Sequence, residues 1–147
     1  MKEMLAIYNR EQELLARYRK AKENGDEAGM QDARDKHNAV EAHLEAQGKE
    51  FCWAYRLFEE QQERGNAYID LHDTMQDALI PVYIDTLRKH GFKNFTFSST
   101  WSSAVETAWI FTQCGCSLKG LIEINSQYKN FMGDGYEKAH GYLFSID

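Results

Sequence analysis

The stretch "NFTFSSTWSSAVETAWIF", residues 94–111, decides the fold class, because its pattern changes within a few positions. Phe95 and Phe97 alternate with the polar residues Thr96 and Ser98, which is the period of a half-buried β-strand. The residues that follow are spaced as in a helix. The stretch therefore predicts a strand followed by a helix, which excludes an all-helical fold.

The start of this helix explains part of the hydroxyl-rich run before it. "SAVE" at 103–106 matches a capping box, in which Ser103 and Glu106 would each bond the other's backbone N–H. We expect Trp109 and Phe111 to pack inward, and Gly115 to end the helix. A catalytic serine would need a base within reach, and the G-x-S-x-G pattern is absent, so the hydroxyls predict structure and not a nucleophile.

Two further strands follow the helix. "SLKGLIEIN" at 117–125 has the composition of a strand, "GDG" at 133–135 signals a turn, and "HGYLFSI" at 140–146 places alternate apolar residues on one face. The last third of the chain is therefore predicted to be a β-α-β-β unit.

The first two-thirds of the chain predict helices. Apolar residues at 3-4 spacing indicate a helix over 4–22, a turn at "ENGDE" (23–27) capped by Asp26, and a second helix over 27–64. A third helix is expected over about 67–90, with a kink near Pro81. The predicted class is α+β, mostly helical: a hairpin domain, 1–66, and a helix plus β-α-β-β domain, 67–147, in one compact body.

Composition limits the classes of function. The 147 residues carry 17 basic and 23 acidic side chains, a net charge of -6, which argues against binding nucleic acid directly. The longest apolar run, "ALIPVYI" at 78–84, is too short to cross a bilayer, and the start lacks the apolar region of a signal peptide. Three cysteines, Cys52, Cys114 and Cys116, suit thiols in a reducing compartment. We expect a cytoplasmic protein without a cofactor.

One acidic motif could hold a metal. "DLHDTMQD" at 70–77 would place Asp70, Asp73 and Asp77 on one face of the predicted third helix, where three carboxylates could bind a divalent cation. The alternative is a solvated acidic face near a helix start, which the helix dipole favours.

The block "LRKHGFKNFTFSSTWSSAVETAWIFTQCGCSLKGLIEINSQY", residues 87–128, resembles a family of short, functionally undescribed proteins from plasmids and conjugative elements of gut Firmicutes. The resemblance extends over roughly residues 87–147 and leaves out the N-terminal hairpin. It implies a mobile-element context, in which small acidic proteins often antagonise host defence; anti-CRISPR proteins are one such class.

These observations favour a non-catalytic protein-binding module, an inhibitor of a host defence nuclease that blocks a basic nucleic-acid-binding surface. The expected partner is a protein, with a CRISPR effector nuclease as one candidate. The residues expected to contact it are the loop residue Trp101 and three acids of the second helix, Asp35, Glu41 and Glu45. Two alternatives stay open: a metal-dependent hydrolase that uses the Asp cluster, and a helical homodimer, so the chain is expected to be a monomer or a homodimer.

Overall fold

A computed structural model gives the architecture of the chain and describes residues 1–73 and 76–147. The fold is α+β and mostly helical, as predicted. Its contacts divide the chain into two units, Met1–Tyr55 and Arg56–Asp147. The boundary between these two units falls inside a helix.

The first unit contains a hairpin of two helices, α1 (Lys2–Glu23) and α2 (Glu27–Ala46). The turn between them forms as predicted: Gly25 takes a left-handed conformation (φ 64°), and the Asp26 carboxylate accepts a hydrogen bond from the Gly29 N–H at 2.9 Å. Near the turn, Arg34 of α2 donates a hydrogen bond to the Tyr18 hydroxyl of α1. Glu11 faces His37, and Glu3 faces His43, farther from the turn, so the helices are antiparallel.

The long second helix predicted over 27–64 is wrong, because it is two helices. α2 ends at Ala46, and α3 (Lys49–Arg64) begins after Gly48, which has a φ of 99° that a side chain would strain. The N–H groups of Gln47 and Gly48 donate to the carbonyls of Leu44 and Glu45, closing the end of α2. The 3-4 apolar spacing continues across this break, so periodicity alone could not reveal it.

The third helix predicted over about 67–90 is also wrong in its first half. That half contains strand β1 (Ile69–Leu71) and a short 3-10 turn (Asp77–Leu79), and α4 (Ile80–Lys89) follows. Pro81 lies in the first turn of α4, where its missing N–H has no partner to lose, so it starts the helix and does not kink it. Thr74 and Met75, which fall within the predicted helix, lie outside the described residues.

The second unit is built on a four-stranded sheet with the order β1-β2-β4-β3. The predicted β-α-β-β unit is confirmed as β2 (Asn94–Phe97), α5 (Ala104–Gln113), β3 (Cys116–Lys129) and β4 (Tyr136–Ile146). β1 is parallel to β2, and the other neighbours are antiparallel.

Aromatic rings form the centre of this unit. Phe95 contacts Phe111 edge-to-face, with 5.0 Å between ring centroids, and stacks on Phe144 at 5.3 Å. Phe97 also meets Phe111 edge-to-face, at 5.1 Å. Such pairs contribute about 0.5–1.5 kcal/mol each beyond the burial of their area. They fix α5 against the sheet.

Two predictions about α5 are wrong. Ser103 occupies the N-cap position but makes no side-chain capping bond, because its backbone (φ -82°, ψ 4°) is not in the extended conformation that a cap requires. Glu106 is exposed and closes no capping box. Trp109 is 64% exposed, whereas Phe111 is fully buried, since residues two apart on a helix face nearly opposite directions.

Candidate functional site

The parallel pairing of β1 and β2 brings together the two polar stretches that the sequence singled out. Asp70 lies beside Thr96 in the strand register, so the chain leaving β1 runs next to the hydroxyl-rich chain leaving β2. The carboxyl ends of parallel strands are where α/β proteins commonly bind ligands. The aspartates and hydroxyls therefore belong to one site.

Asp70 is the buried member of this site. Its side chain accepts hydrogen bonds from Thr96 Oγ1 and Ser98 Oγ, both at 2.7 Å. Burial raises the pKa of Asp70 above its ordinary value, and the two hydroxyl donors act in the opposite direction. The hydroxyls of Thr96 in β2 and of Ser98 just after it therefore satisfy a buried carboxylate.

Asp73 lies nearer the surface and is held by the loop after β2. It accepts hydrogen bonds from the Ser99 hydroxyl, from the Thr100 N–H at 3.2 Å and from Thr100 Oγ1 at 3.1 Å. Burial acts to raise the pKa of Asp73, but the hydrogen bonds from Ser99 and Thr100 outweigh it and the pKa is lowered. Asp73 is thus a fixed negative charge. The backbone N–H of Trp101 donates a hydrogen bond to Ser99 Oγ at 3.1 Å, which connects the tryptophan to the same cluster.

His72 points into an ion-pair network with α3. Its Nε2 lies 3.6 Å from Glu60 Oε2, and the same oxygen accepts a hydrogen bond from Arg64 at 3.0 Å. The interaction with Glu60 raises the pKa of His72, against the effect of burial. His72 in turn lowers the pKa of Glu60. The imidazolium and the carboxylate therefore stabilise each other's charged forms.

A cleft of about 490 Å³ opens above these groups. Its lining includes Asp73, Asp77, His72 and Trp101. Asp77 accepts a hydrogen bond from Thr107 Oγ1 of α5 at 2.9 Å, and Trp101 is 55% exposed. A smaller cavity of about 200 Å³ shares His72 and Asp73 with the cleft. The cleft offers two carboxylates and an accessible indole.

The comparison with known families identifies the unit that carries this cleft. The model of the family DUF7698, a domain of unknown function, matches residues 53–146. The chain belongs to this family. The DUF7698 match contains the cleft and all four strands, and it includes most of the 87–147 block whose resemblance the sequence suggested. Comparisons with curated proteins and with solved structures find no match.

The three aspartates predicted to hold a metal all lie in the DUF7698 domain, but not on one helical face. Asp70 is in β1, Asp73 follows it, and Asp77 begins the 3-10 turn. Each accepts hydrogen bonds from a different set of hydroxyls. Within the part of the chain that the structure describes, they do not form a set whose ligand atoms all lie within 4.8 Å of one another. The geometry explains them as hydroxyl-bound carboxylates.

Two serines of the DUF7698 domain, Ser98 and Ser99, donate to carboxylates, which explains this part of the hydroxyl run better than the capping box did. Ser98 and Ser99 hold Asp70 and Asp73, so the run fixes the position of negative charge.

Burial raises the pKa of the Cys116 thiol to about 11, so this cysteine is a poor nucleophile at neutral pH.

The predicted partner-binding residues fall in different units. Trp101 lies at the cleft of the DUF7698 domain, next to Asp73 and Asp77. The three predicted acids are on α2 of the first unit, where Asp35 and Glu45 are exposed and Glu41 is half-buried.

One exposed feature of the DUF7698 domain was missed. Val105 (74% exposed) and Trp109 (64% exposed) lie on the face of α5 opposite the buried residues Thr107 and Phe111. The sequence contained a signal for this exposed face. Trp101, Val105 and Trp109 are spaced four residues apart, which is close to one helical turn.

No helix within residues 1–73 and 76–147 is both long enough and apolar enough to cross a membrane.

Proposed function

We propose that this protein is a non-catalytic protein-binding module that receives a basic side chain of its partner in the cleft of the DUF7698 domain. The observation that carries the proposal is the composition of that cleft, where Asp73 and Asp77 lie with an accessible Trp101. A guanidinium or ammonium group binds carboxylates by charge and an indole face by cation–π attraction.

The electrostatics of the cleft support a cationic ligand. Asp73 keeps its negative charge because hydrogen bonds from Ser99 and Thr100 lower its pKa. The charge on His72 is matched by Glu60, 3.6 Å away. The unit as a whole has 12 acidic and 8 basic residues, so it attracts a basic surface from a distance.

The outer face of α5 extends this docking surface. Val105 and Trp109 expose apolar area on the same helix whose Thr107 holds Asp77. Aromatic side chains around a charged contact are typical of residues that dominate interface affinity. The partner surface we propose is therefore a basic side chain surrounded by apolar contacts.

The hairpin is a weaker basis for electrostatic blocking. Residues 1–55 have 11 acidic and 9 basic side chains, and ion pairs such as Glu13–Arg17 (2.6 Å) and Asp32–Lys36 (2.9 Å) intermix them. For this reason we assign the main contact to the cleft and not to Asp35, Glu41 and Glu45.

The partner class that we propose is a host defence nuclease, with CRISPR effectors as the first to test. The basis is the resemblance to short proteins of plasmids and conjugative elements of gut Firmicutes, together with the basic channels in which such nucleases hold nucleic acid. An inhibitor that inserts a cleft over an arginine of such a channel would exclude the nucleic acid.

A pull-down against a panel of purified CRISPR effector nucleases tests the function. We expect the wild-type protein to retain one of them, less at high salt, and Trp101→Ala to lose retention. Phe131→Ala, which truncates another exposed aromatic residue (95% exposed) of the same domain, is the matched control and should bind as wild type. Failure to retain any nuclease contradicts the inhibitor function, and retention by Trp101→Ala contradicts the assignment of the cleft.

A further inference from the structure

A cluster of one histidine and two carboxylates lies across the helical hairpin of the first unit. Glu11 comes from α1, and His37 and Glu41 come from successive turns of α2. One ligand atom from each residue lies within 4.8 Å of the other two. We propose that these three side chains form a binding site for a first-row divalent metal ion, with Zn²⁺ as its probe.

The donor atoms and their separations suit such an ion. Zn²⁺ binds imidazole nitrogen and carboxylate oxygen at about 2.0–2.2 Å, so two ligands of a tetrahedral site lie roughly 3.3–3.6 Å apart. His37 Nδ1 and Glu11 Oε1 are 3.7 Å apart, which is too long for a hydrogen bond and close to that ligand separation. Small side-chain rotations would bring the three donors to one ion.

The helices hold the cluster in place. His37 and Glu41 are four residues apart, so they are neighbours on the surface of α2, and the antiparallel packing sets Glu11 opposite them. The Glu11 side chain is 12% exposed, whereas that of His37 is 50% exposed. The site therefore has a sheltered carboxylate and an open side by which an ion can enter.

Charge also favours a dication at this position. Glu11 and Glu41 carry two negative charges between them, and one of these charges is largely withdrawn from water. Carboxylate oxygens are common ligands of divalent cations, so an ion of charge +2 is complementary to this pair. With three protein donors, a tetrahedral ion keeps one position for water or for another ligand.

The same hairpin contains a matched control. His43 and Glu3 also pair across α1 and α2, with His43 Nε2 3.7 Å from Glu3 Oε1. Within the described residues this pair is not joined by a third ligand within 4.8 Å. The His43–Glu3 pair thus has the same kind of histidine–carboxylate contact, but it lacks the third ligand that the proposed metal site has.

Isothermal titration of the full-length protein with Zn²⁺, in a non-chelating buffer at neutral pH, tests the proposal. We expect one equivalent to bind the wild type and His43→Ala with equal affinity. Loss of an outer-shell contact weakens metal binding about 10- to 100-fold, so loss of a ligand in His37→Ala or Glu41→Gln should weaken it at least tenfold. Circular dichroism confirms that each variant is folded.

Two results would overturn the site. One is the absence of stoichiometric Zn²⁺ binding to the wild type. The other is undiminished binding by folded His37→Ala and Glu41→Gln, which would place the ion elsewhere, for example at the thiols of the chain.

Discussion

At the scale of single residues, the site depends on pairs between carboxylates and their donors. Asp70 is buried with Thr96 and Ser98, Asp73 is fixed by the loop after β2, and His72 is paired with Glu60. Burial and hydrogen bonding move the pKa values of these groups in opposite directions; the balance raises the pKa of Asp70 and lowers that of Asp73.

The His72–Glu60 pair predicts a pH dependence of stability. The pKa of His72 is raised in the folded protein, whereas an unfolded histidine has a pKa of about 6.5. The stabilisation is fully present below the unfolded pKa and is lost as pH rises through the folded pKa. We expect His72→Gln to lower the free energy of unfolding more at about pH 5.5 than at about pH 9, as measured by urea unfolding.

Glu60→Gln is the control for this prediction. In that background the pH-dependent part of the His72→Gln effect should shrink, because the carboxylate that raises the pKa is gone. An equal effect of His72→Gln at both pH values would contradict the assigned pair.

At the scale of elements, α5 separates a buried face from an exposed one. Phe111 contacts three aromatic rings of the sheet, while Val105 and Trp109 face solvent. The exposed face is available for docking because it contributes little to the core.

This division predicts unequal costs for two aromatic truncations. Phe111→Ala should lower the free energy of unfolding by about 3–5 kcal/mol, because it leaves a cavity in the ring cluster. Trp109→Ala should change it by no more than about 0.5 kcal/mol, as is usual at exposed positions. Urea unfolding measures both values. A large loss in Trp109→Ala would show that the outer face of α5 is part of the core.

The sequence predicted the elements whose signals are local. The hairpin turn at Gly25 and Asp26, the strand at Phe95 and Phe97, and the helix after it all follow from spacing and turn residues. The break at Gly48 was missed because the apolar spacing runs through it. β1 was missed because three consecutive buried residues show no alternation.

The site could be predicted only in pieces. The aspartates and the hydroxyls were each recognised, but their pairing depends on the parallel register of Asp70 with Thr96, a contact between residues 26 apart. Likewise, Glu11 meets His37 through the antiparallel packing of two helices. Long-range register is set by tertiary packing and leaves no signature in local composition.

At the scale of the whole molecule, the family match and the contacts agree on nearly the same unit. DUF7698 covers residues 53–146, and the second unit is Arg56–Asp147. The cleft lies entirely in this unit, and the proposed metal site lies in the first. The two proposals therefore rest on separate parts of the chain and can fail separately.

The central claim is that the cleft of the DUF7698 domain binds a cationic side chain. The most direct test is a nuclear magnetic resonance titration of the full-length protein with a short arginine-containing peptide. We predict saturable shifts of the Trp101 indole N–H and the Thr107 amide, with little change at the Phe131 amide, and loss of these shifts at high salt and in Asp73→Asn. Absence of shifts at Trp101, or shifts that persist in Asp73→Asn, would contradict the claim.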